Sequence, residues 1–374
     1  MKLARVDSLR MRAGQIFCAC DVDGLPLDLD SLPKQASLLR MAFAFCSAIL
    51  AQVLTLTILP IASATFLPIS GSWPWPFMAL LFGAALAAFP ASYLLDRLGR
   101  QSAFALGASL GLAGGVLSAF ALSERLYPAF IIGVLWLGMA QGFGLFYRHA
   151  GAMAGRAGGF IFGAGAIGAL IAPFIIGTLS EQFGPLGSSA ILMVSGLAHL
   201  ITLALAIGLP GREIEITAAS AEVKRPSLAI FVVTTFIASL AWLGMNGLMA
   251  HSPLAMTGCG LSLSISAAAM AAHLSAMYWP GFTIGRMIKR YGGTITSLLG
   301  LALLMLGVSN VVYQNSGLGF TLYLALAGYG WGMATIGATA ALYKEGQPSA
   351  LMLASHDMML FFAALIGVAL FGRF

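Results

Sequence analysis

The stretch SYLLDRLGRQ, at positions 92–101, places an acid, two arginines and a glycine between two long apolar segments. A related stretch, GRMIKRYGG, stands at 285–293, also at the end of an apolar segment. The two align without a gap, and the aligned pairs include Arg97 with Arg290 and Gly99 with Gly292. Because the chain is only 9% charged, a cluster of charge that recurs in one pattern indicates two related halves.

The composition identifies the solvent of the folded chain. Of the 374 residues, 59% are hydrophobic and 9% are charged, whereas a soluble domain has about 25% charged residues. So much apolar surface cannot be covered in water, and most of the chain is therefore predicted to lie in a lipid bilayer. The formal net charge of +6 does not indicate nucleic-acid binding, because the lysines and arginines are scattered among loops and form no basic patch.

The sequence predicts neither a metal site nor a cofactor. The cysteines form no disulfide framework, and the CxC pair lacks further ligands, so all of them are interpreted as incidental thiols. They are Cys18, Cys20, Cys46 and Cys259. The sequence has no nucleotide-binding loop of the G-x-x-x-x-G-K-[ST] kind, so direct coupling to ATP within this chain is not expected.

Apolar runs of about 20 residues, the length of a transmembrane helix, predict an all-α polytopic membrane protein with eleven spans. The predicted spans are 41–63, 76–95, 102–121, 127–147, 158–180, 189–209, 228–250, 263–285, 295–314, 318–342 and 350–371. One longer polar break, 210–227, separates a bundle of six spans at 41–209 from a bundle of five at 228–374. Residues 1–40 are interpreted as a tail, with Met41 as an alternative start of the chain.

The positive residues predict how the spans are oriented. With the amino terminus inside, only Arg125 and Arg373 fall outside, as the positive-inside rule requires. The inner set is Lys2, Arg5, Arg10, Arg12, Lys34, Arg40, Arg97, Arg100, Arg148, Arg156, Arg212, Lys224, Arg225, Arg286, Lys289, Arg290 and Lys344. We therefore expect a multi-pass protein of the inner cell membrane, with the tail 1–40 and the linker 210–227 in the cytoplasm.

Two related helical bundles joined by a linker are typical of secondary transporters, in which the solute site lies between the halves near the membrane midplane. The stretch at 92–101 also resembles the signature G-x-L-x-D-R-x-G-R of the major facilitator superfamily, with serine in place of the first glycine. The matching residues are Ser92, Leu94, Asp96, Arg97, Gly99 and Arg100. The resemblance implies the two-bundle fold of that family, with its pseudo-two-fold repeat.

Two other family signatures are present in degenerate form. The fifth span is similar to G-x-x-x-G-P-x-x-G-G, a pattern associated with antiporters, through Gly168, Ala172, Pro173 and Gly177. The R-x-x-Q-G-x-G pattern of the fourth span keeps Gln141, Gly142 and Gly144 but has Gly138 at the arginine position. Family members usually have twelve helices, and the twelfth has no counterpart here. A truncated chain and a chain that works without this helix are both left open.

The charged turn is predicted to act as a conformational latch. Gly99 tolerates the backbone angles of a short turn, and Arg97 and Arg100 would face anionic lipid on the inner side. The resemblance implies that Asp96 holds the inner ends of the bundles together. The helix dipole at the start of the last span, near Leu351, would attract it by about 0.3–1 kcal/mol. The alternative is that Asp96 pairs only with a neighbouring arginine. The second-half counterparts are Gly285, Lys289, Arg290 and Gly292, with lysine at the acid position, so the latch is expected to be one-sided.

Charged side chains inside a bilayer are costly and mark candidate functional sites. Asp357, beside His356, is the one acid within a predicted span, and the two are candidates for proton coupling. The alternative is that Asp357 caps its helix at the interface. His273 is favoured over His199 as a cavity residue, because the resemblance implies that the eighth helix faces the cavity and the sixth is peripheral.

Uncharged polar and aromatic groups in the middle of spans are candidates for the solute site, with packing between helices as the alternative for each. The resemblance implies that the first, fourth, seventh and tenth helices line the cavity. The candidates, besides His273, are Gln52, Gln141, Trp242, Asn246, Tyr329 and Trp331. Arg148 and His149, at the end of the fourth span, are expected to anchor in the lipid headgroups instead.

Glycines at helical spacing predict close contact between helices. They are Gly107, Gly111 and Gly115 in the third span, Gly138 and Gly142 in the fourth, and Gly328 and Gly332 in the tenth. Surfaces on which helices slide are an equally good interpretation of the same pattern.

The function predicted from these features is secondary transport of a small neutral or amphipathic solute by alternating access. Protons are the candidate coupling ion. The direction is left open between export as an antiporter and uptake as a permease. A monomer in contact with membrane lipid is expected. One alternative is a non-transporting or truncated relative. An integral membrane enzyme is the least favoured class, because no clustered catalytic groups are evident.

Overall fold

The structure, a computed structural model, describes residues 11–12, 32–66, 74–152, 156–210, 213–214 and 225–371, and these are almost entirely helical. The helices are α1 (Leu32–Phe66), α2 (Pro74–Arg97), α3 (Gly99–Ser123), α4 (Tyr127–Ala152), α5 (Arg156–Phe183), α6 (Gly187–Ile207), α7 (Leu228–Gly258), α8 (Leu263–Tyr278), α9 (Pro280–Thr283), α10 (Gly285–Tyr291), α11 (Gly293–Val311), α12 (Gly317–Leu342) and α13 (Ala350–Phe371). The two-residue strands β1 (Met11–Arg12) and β2 (Glu213–Ile214) pair antiparallel.

Ten of the eleven predicted spans correspond to single long helices, but the eighth does not. The span predicted over 263–285 is interrupted in the structure, because α8 ends at Tyr278 and the chain continues as the short helices α9 and α10. Pro280 opens α9 and is buried, and a proline has no amide hydrogen to donate into the preceding turn. At the other end of the chain, α1 begins at Leu32, inside the segment interpreted as a tail.

The outer surface of the helices is apolar. By length and composition, eight stretches among the described residues can cross a membrane, and one of these covers α5 and α6 together. Large apolar side chains remain uncovered on the periphery, such as Phe174, which is 78% exposed, and Leu228, which is 75% exposed. Such surface is stable in lipid and not in water, so the chain is a multi-pass membrane protein.

The helices form two bundles that repeat one pattern of neighbours. In the first bundle α3 packs on α4, α4 on α2, and α1 on α5; in the second, α11 packs on α12, α12 on α8, and α7 on α13. The bundles meet where α2 packs on α13 and where α5 packs on α8. Under the repeat α2 corresponds to α8 and α5 to α13, so these two interfaces exchange, as a pseudo-two-fold axis requires. The predicted two-bundle fold is confirmed.

The glycine of the duplicated turn has a positive φ in both halves. Gly99 has φ 84° and Gly292 has φ 83°, a left-handed conformation that a glycine adopts without steric cost. The two residues occupy the same position in the aligned stretches. The repeat is therefore present in local conformation as well as in sequence.

The spaced glycines allow helix backbones to touch, as predicted. A β-carbon at Gly138 would lie 1.9 Å from the carbonyl oxygen of Leu80 on α2. One at Gly332 would lie 2.1 Å from that of Met277 on α8. The same holds on α3, where Gly115 meets Gly196 of α6. These distances leave no room for any larger residue.

Candidate functional site

Three contacts gather the turns of both halves at one end of the molecule, called here the linker end. The Ser92 hydroxyl, near the end of α2, donates to the Ala350 carbonyl at the start of α13, at 2.7 Å. The Arg100 guanidinium donates to the Ala150 carbonyl at the end of α4, at 3.2 Å. A β-carbon at Gly281 of α9 would lie 2.4 Å from the oxygen of Gly159 in the first turn of α5. The first and third of these contacts join the two bundles, which are therefore closed against each other at the linker end.

A buried cluster of charged groups joins the two bundles near this end. Arg148 of α4 forms an ion pair with Asp357 of α13, and these side chains are only 3% and 1% exposed. His149 Nε2 lies 3.2 Å from the same carboxylate oxygen of Asp357. The expectation that Arg148 and His149 anchor in the headgroups is therefore wrong. Both side chains are instead buried beside Asp357, an acid of the opposite bundle.

The cluster continues to α7 and to the turn before α13. His356 Nδ1 lies 2.8 Å from the hydroxyl oxygen of Thr235 on α7. Tyr343, just after α12, lies with its ring centroid 5.9 Å from that of His149. Burial and then the negative charge of Asp357 raise the pKa of Tyr343 above its usual value, against the opposing effect of Arg148, so its hydroxyl stays protonated.

Three polar atoms of this cluster have no hydrogen-bond partner among the described residues. They are Arg148 Nε, His149 Nδ1 and Asp357 Oδ2. Buried polar atoms are normally paired, so these three atoms remain available as one N–H donor on Arg148 and as polar groups on His149 and Asp357. Asp357 and His356, predicted as a pair for proton coupling, thus lie together in a site that also contains Arg148.

The predicted latch residues lie at the surface of the linker end. Asp96 is 59% exposed, and its carboxylate is 3.8 Å from the Arg97 side chain, which is the local pairing foreseen as the alternative. The contact from α2 to α13 is made by Ser92. In the second half, Gly285, Lys289 and Arg290 are exposed and Gly292 closes α10.

The residues of the fifth-span motif have several different environments. A β-carbon at Gly168 would lie 2.3 Å from the Cys46 carbonyl oxygen on α1, so α1 and α5 touch there. Ala172 is fully buried, and Pro173 lies inside α5. Gly177 faces open space, because a β-carbon added there would have no atom within 4 Å. The motif therefore serves packing of α5 at its first glycine.

A small cavity lies at the centre of the molecule, between the bundles. It is lined by Gln52, Leu56, Phe77, Gln141, Leu145, Trp242, Asn246, Met249, Met277, Tyr278 and Trp331. Five of the seven predicted cavity residues are thus brought to one wall: Gln52, Gln141, Trp242, Asn246 and Trp331. Its volume of about 20 Å³ holds roughly one water molecule, so the cavity is closed to a solute in this conformation.

The other two predicted cavity residues lie elsewhere. His273 Nδ1 donates to the Leu324 carbonyl of α12 at 2.6 Å, which makes it a contact between helices. The Tyr329 hydroxyl lies 2.8 Å from that of Thr283 on α9. Helix α12 turns one face to the cavity, and Trp331 is on that face whereas Tyr329 is two residues away.

Some residues that line the cavity were not predicted from the sequence. Tyr278 and Met277 line the cavity at the end of α8, and Pro280, which follows them in the sequence, is a signal that could have drawn attention to this segment. His199, rejected in favour of His273, lines a second small cavity that shares Gln52 and Gln141 with the first. Within the described ranges, no group of three or more His, Cys, Asp or Glu residues could hold a metal ion.

Comparison with known proteins gives relatives of one kind. No family model matches the sequence. The chain is 28% identical over 285 residues to the riboflavin transporter RfnT of Brucella anthropi, which covers 71% of this chain and 70% of that protein. It is 25% identical over 326 residues to the uncharacterized MFS-type transporter YddS of Bacillus subtilis, covering 79% and 75%.

Solved structures of the major facilitator superfamily have the same fold. The proton:xylose symporter XylE superposes with a TM-score of 0.72 at 15% identity, over 92% of this chain and 89% of that one. The human organic anion transporter MFSD10 gives 0.68 at 12% identity, over 90% and 93%. The E. coli fucose:proton symporter FucP gives 0.61 at 14% identity, over 89% of each.

Proposed function

The chain has the fold and the relatives of a major facilitator superfamily transporter, and we propose that it moves a small neutral or amphipathic solute by alternating access. The observation that carries this proposal is the central cavity, whose wall comes from both bundles. A wall divided in this way opens when the bundles part. No charged side chain belongs to the lining, which favours an uncharged solute over an ion.

The closed end of the molecule supplies the gate. Three kinds of contact hold the linker end shut: the Arg148–Asp357 pair, the hydrogen bond from Ser92 to Ala350, and the glycine contact between α5 and α9. All three join one bundle to the other. We place this end in the cytoplasm, because the lysines and arginines concentrate there. The structure then corresponds to a state closed towards the cytoplasm, and Asp96 is proposed to stabilise it.

Protons are proposed as the coupling ion through Asp357. When the linker end opens, α13 moves away from α4 and Arg148 leaves the carboxylate. An acid that loses its positive partner in an apolar environment binds a proton more readily. Opening and proton binding at Asp357 would therefore favour each other, with His149 and His356 as neighbouring proton acceptors.

Riboflavin is the first solute to test, because one relative is named as its transporter. We propose to reconstitute the full chain, expected to be monomeric, into liposomes and to follow uptake of labelled solutes with and without an imposed pH gradient. Riboflavin, xylose and fucose form the starting set. Saturable uptake that depends on the gradient and is lost in Asp357→Asn is the expected result.

Two other results of this experiment would contradict parts of the proposal. If no solute of a broad panel crosses the liposome membrane while one of them binds to the purified protein, the chain is a non-transporting relative. Uptake unaffected by the pH gradient and retained in Asp357→Asn would leave transport intact and exclude the coupling role of Asp357.

A further inference from the structure

We propose that the central cavity recognises a flat, uncharged heteroaromatic ring that has both hydrogen-bond donors and acceptors on its edge. This inference rests on the proposed function and names the chemistry of the solute. It is carried by two features of the cavity wall, one aromatic and one polar.

The aromatic feature is a cluster centred on Trp331. Its ring centroid lies 5.2 Å from that of Trp242, 6.2 Å from that of Tyr278 and 6.3 Å from that of Phe162. Trp242 in turn lies 5.1 Å from Phe361. Trp331, Trp242 and Tyr278 reach the cavity itself. Aromatic rings pack favourably against another flat ring, stacked or edge-on, so a wall containing these three rings is suited to a planar solute.

The polar feature is a set of amides on the same cavity. Gln52 of α1 and Gln141 of α4 come from the first bundle, and Asn246 of α7 from the second. The Asn246 amide donates to the Trp242 carbonyl of its own helix at 2.9 Å, which leaves its oxygen as an acceptor. An amide offers one donor and one acceptor group, so the wall can pair with both kinds of atom on a ligand.

Three buried polar atoms of the residues that line this cavity have no partner in the described part of the chain. They are the Trp242 and Trp331 indole nitrogens and Gln141 Oε1. An unpaired buried polar group is costly, and a ligand that pairs with it removes that cost. The two indole N–H groups require acceptors, such as carbonyl oxygens or ring nitrogens, and the oxygen of Gln141 requires a donor. A ring edge with N–H and C=O groups side by side offers both kinds of partner that these atoms lack.

The uncharged lining of the cavity disfavours charged solutes. The lining contains no charged side chain, and the nearest described ion pair, between Arg148 and Asp357, is already matched within itself. A phosphate or carboxylate on the ring would therefore enter without a partner, at a high desolvation cost. A polyol such as a sugar has acceptors and donors but no aromatic ring to stack on Trp331.

The test is a binding measurement on the purified full chain with riboflavin as the probe. Riboflavin has a planar ring with an imide edge and is fluorescent, so stacking on tryptophan quenches it. Lumichrome keeps the ring without the sugar-like side chain, and xylose has hydroxyls without a ring. We expect riboflavin and lumichrome to bind and xylose not to bind at the same concentrations.

Two variants address the individual contacts. Trp331→Phe keeps an aromatic ring but removes the N–H donor, and Gln141→Met keeps the volume but removes the amide. Each is expected to weaken riboflavin binding about tenfold, which corresponds to the loss of about 1.4 kcal/mol. The matched control is Trp279→Phe, because Trp279 is 49% exposed and outside the cavity. The affinity of this variant for riboflavin should equal that of the parent.

The outcomes separate this inference from the proposed function. If xylose is transported but neither flavin ring binds, the ring preference is excluded while transport stands. If riboflavin binds with the expected variant effects but no solute is transported, recognition stands and transport fails. Binding that is unchanged in both Trp331→Phe and Gln141→Met, with thermal unfolding like that of the parent, would also overturn the inference.

Discussion

Asp357 and Arg148 illustrate what single residues contribute to this molecule. They lie on different bundles and are both almost fully buried. A buried ion pair contributes little net stability, because desolvation of the two charges offsets their attraction. Removing one partner is different, since it leaves the other charge buried and alone. The pair is therefore not a source of net stability, and in the proposed mechanism it is a contact that opens.

Asp357→Asn is expected to lower the free energy of unfolding by about 3–5 kcal/mol, the usual cost of leaving one buried charge unpaired. The double variant Arg148→Met with Asp357→Leu should recover most of that loss, because both charges are gone. Thermal unfolding in detergent measures both. A single variant as stable as the parent would show that the two side chains are not paired in the protein.

Asp96→Asn is expected to leave stability within about 0.5 kcal/mol of the parent, because the side chain is at the surface. Solute flux should fall at least several-fold if Asp96 stabilises the closed linker end. Glu181→Gln, an exposed acid in the last turn of α5, is the matched control in the same flux assay. Full transport by Asp96→Asn would remove the latch and leave only the local pair with Arg97.

Sequence patterns predicted the residues of the cavity better than those of the charged cluster. Gln52, Gln141 and Trp331 were identifiable because a polar or indole group in mid-span needs a partner. Arg148 was misplaced because a basic residue at a span end usually binds headgroups. Its acid partner stands 209 positions later on the other bundle, and no local pattern indicates a contact of that range.

The helices themselves were predictable wherever apolar length and glycine spacing decide their packing. Spans such as 318–342 agree with the observed α12 (Gly317–Leu342) within one residue at the start and none at the end. The break after α8 was missed because hydropathy continues through it, although Pro280 is visible in the sequence. The early start of α1 was missed because its first turns are polar.

The contact of α5 with α9 provides a test at the level of these elements. A side chain at Gly281 would meet the backbone of Gly159 and of Gly163 at 2.4 Å, so Gly281→Val cannot close the linker end. Flux is expected to fall at least tenfold. A thiol introduced by Ser92→Cys, in a background without native cysteines, should react faster with a maleimide in this variant.

The control for that experiment is Gly258→Ala. Gly258 ends α7 and has no atom within 4 Å of an added β-carbon, so flux and labelling should match the parent. Equal labelling of Ser92→Cys with and without Gly281→Val would show that α5 and α9 do not control closure.

At the scale of the whole molecule, the two halves are related by exchange of their interfaces. The packing of α2 on α13 is equivalent to that of α8 on α5. A motion that loosens one of these interfaces at the linker end is therefore expected to loosen the other as well. The duplication and the linker were sufficient to predict this architecture. Which helix faces meet was not predictable, because both bundles present similar apolar surfaces of glycine and alanine.

The central claim is that the bundles rock against each other, and distances between spin labels test it most directly. One label pair replaces Leu98 and Lys289 at the linker end, and another replaces Glu124 and Tyr313 in turns at the opposite end; all four residues are exposed. Double electron–electron resonance is recorded with the protein in lipid, with and without solute and at two pH values. The account predicts that one distance lengthens as the other shortens. Distances that stay fixed under every condition, or that lengthen together, would contradict it.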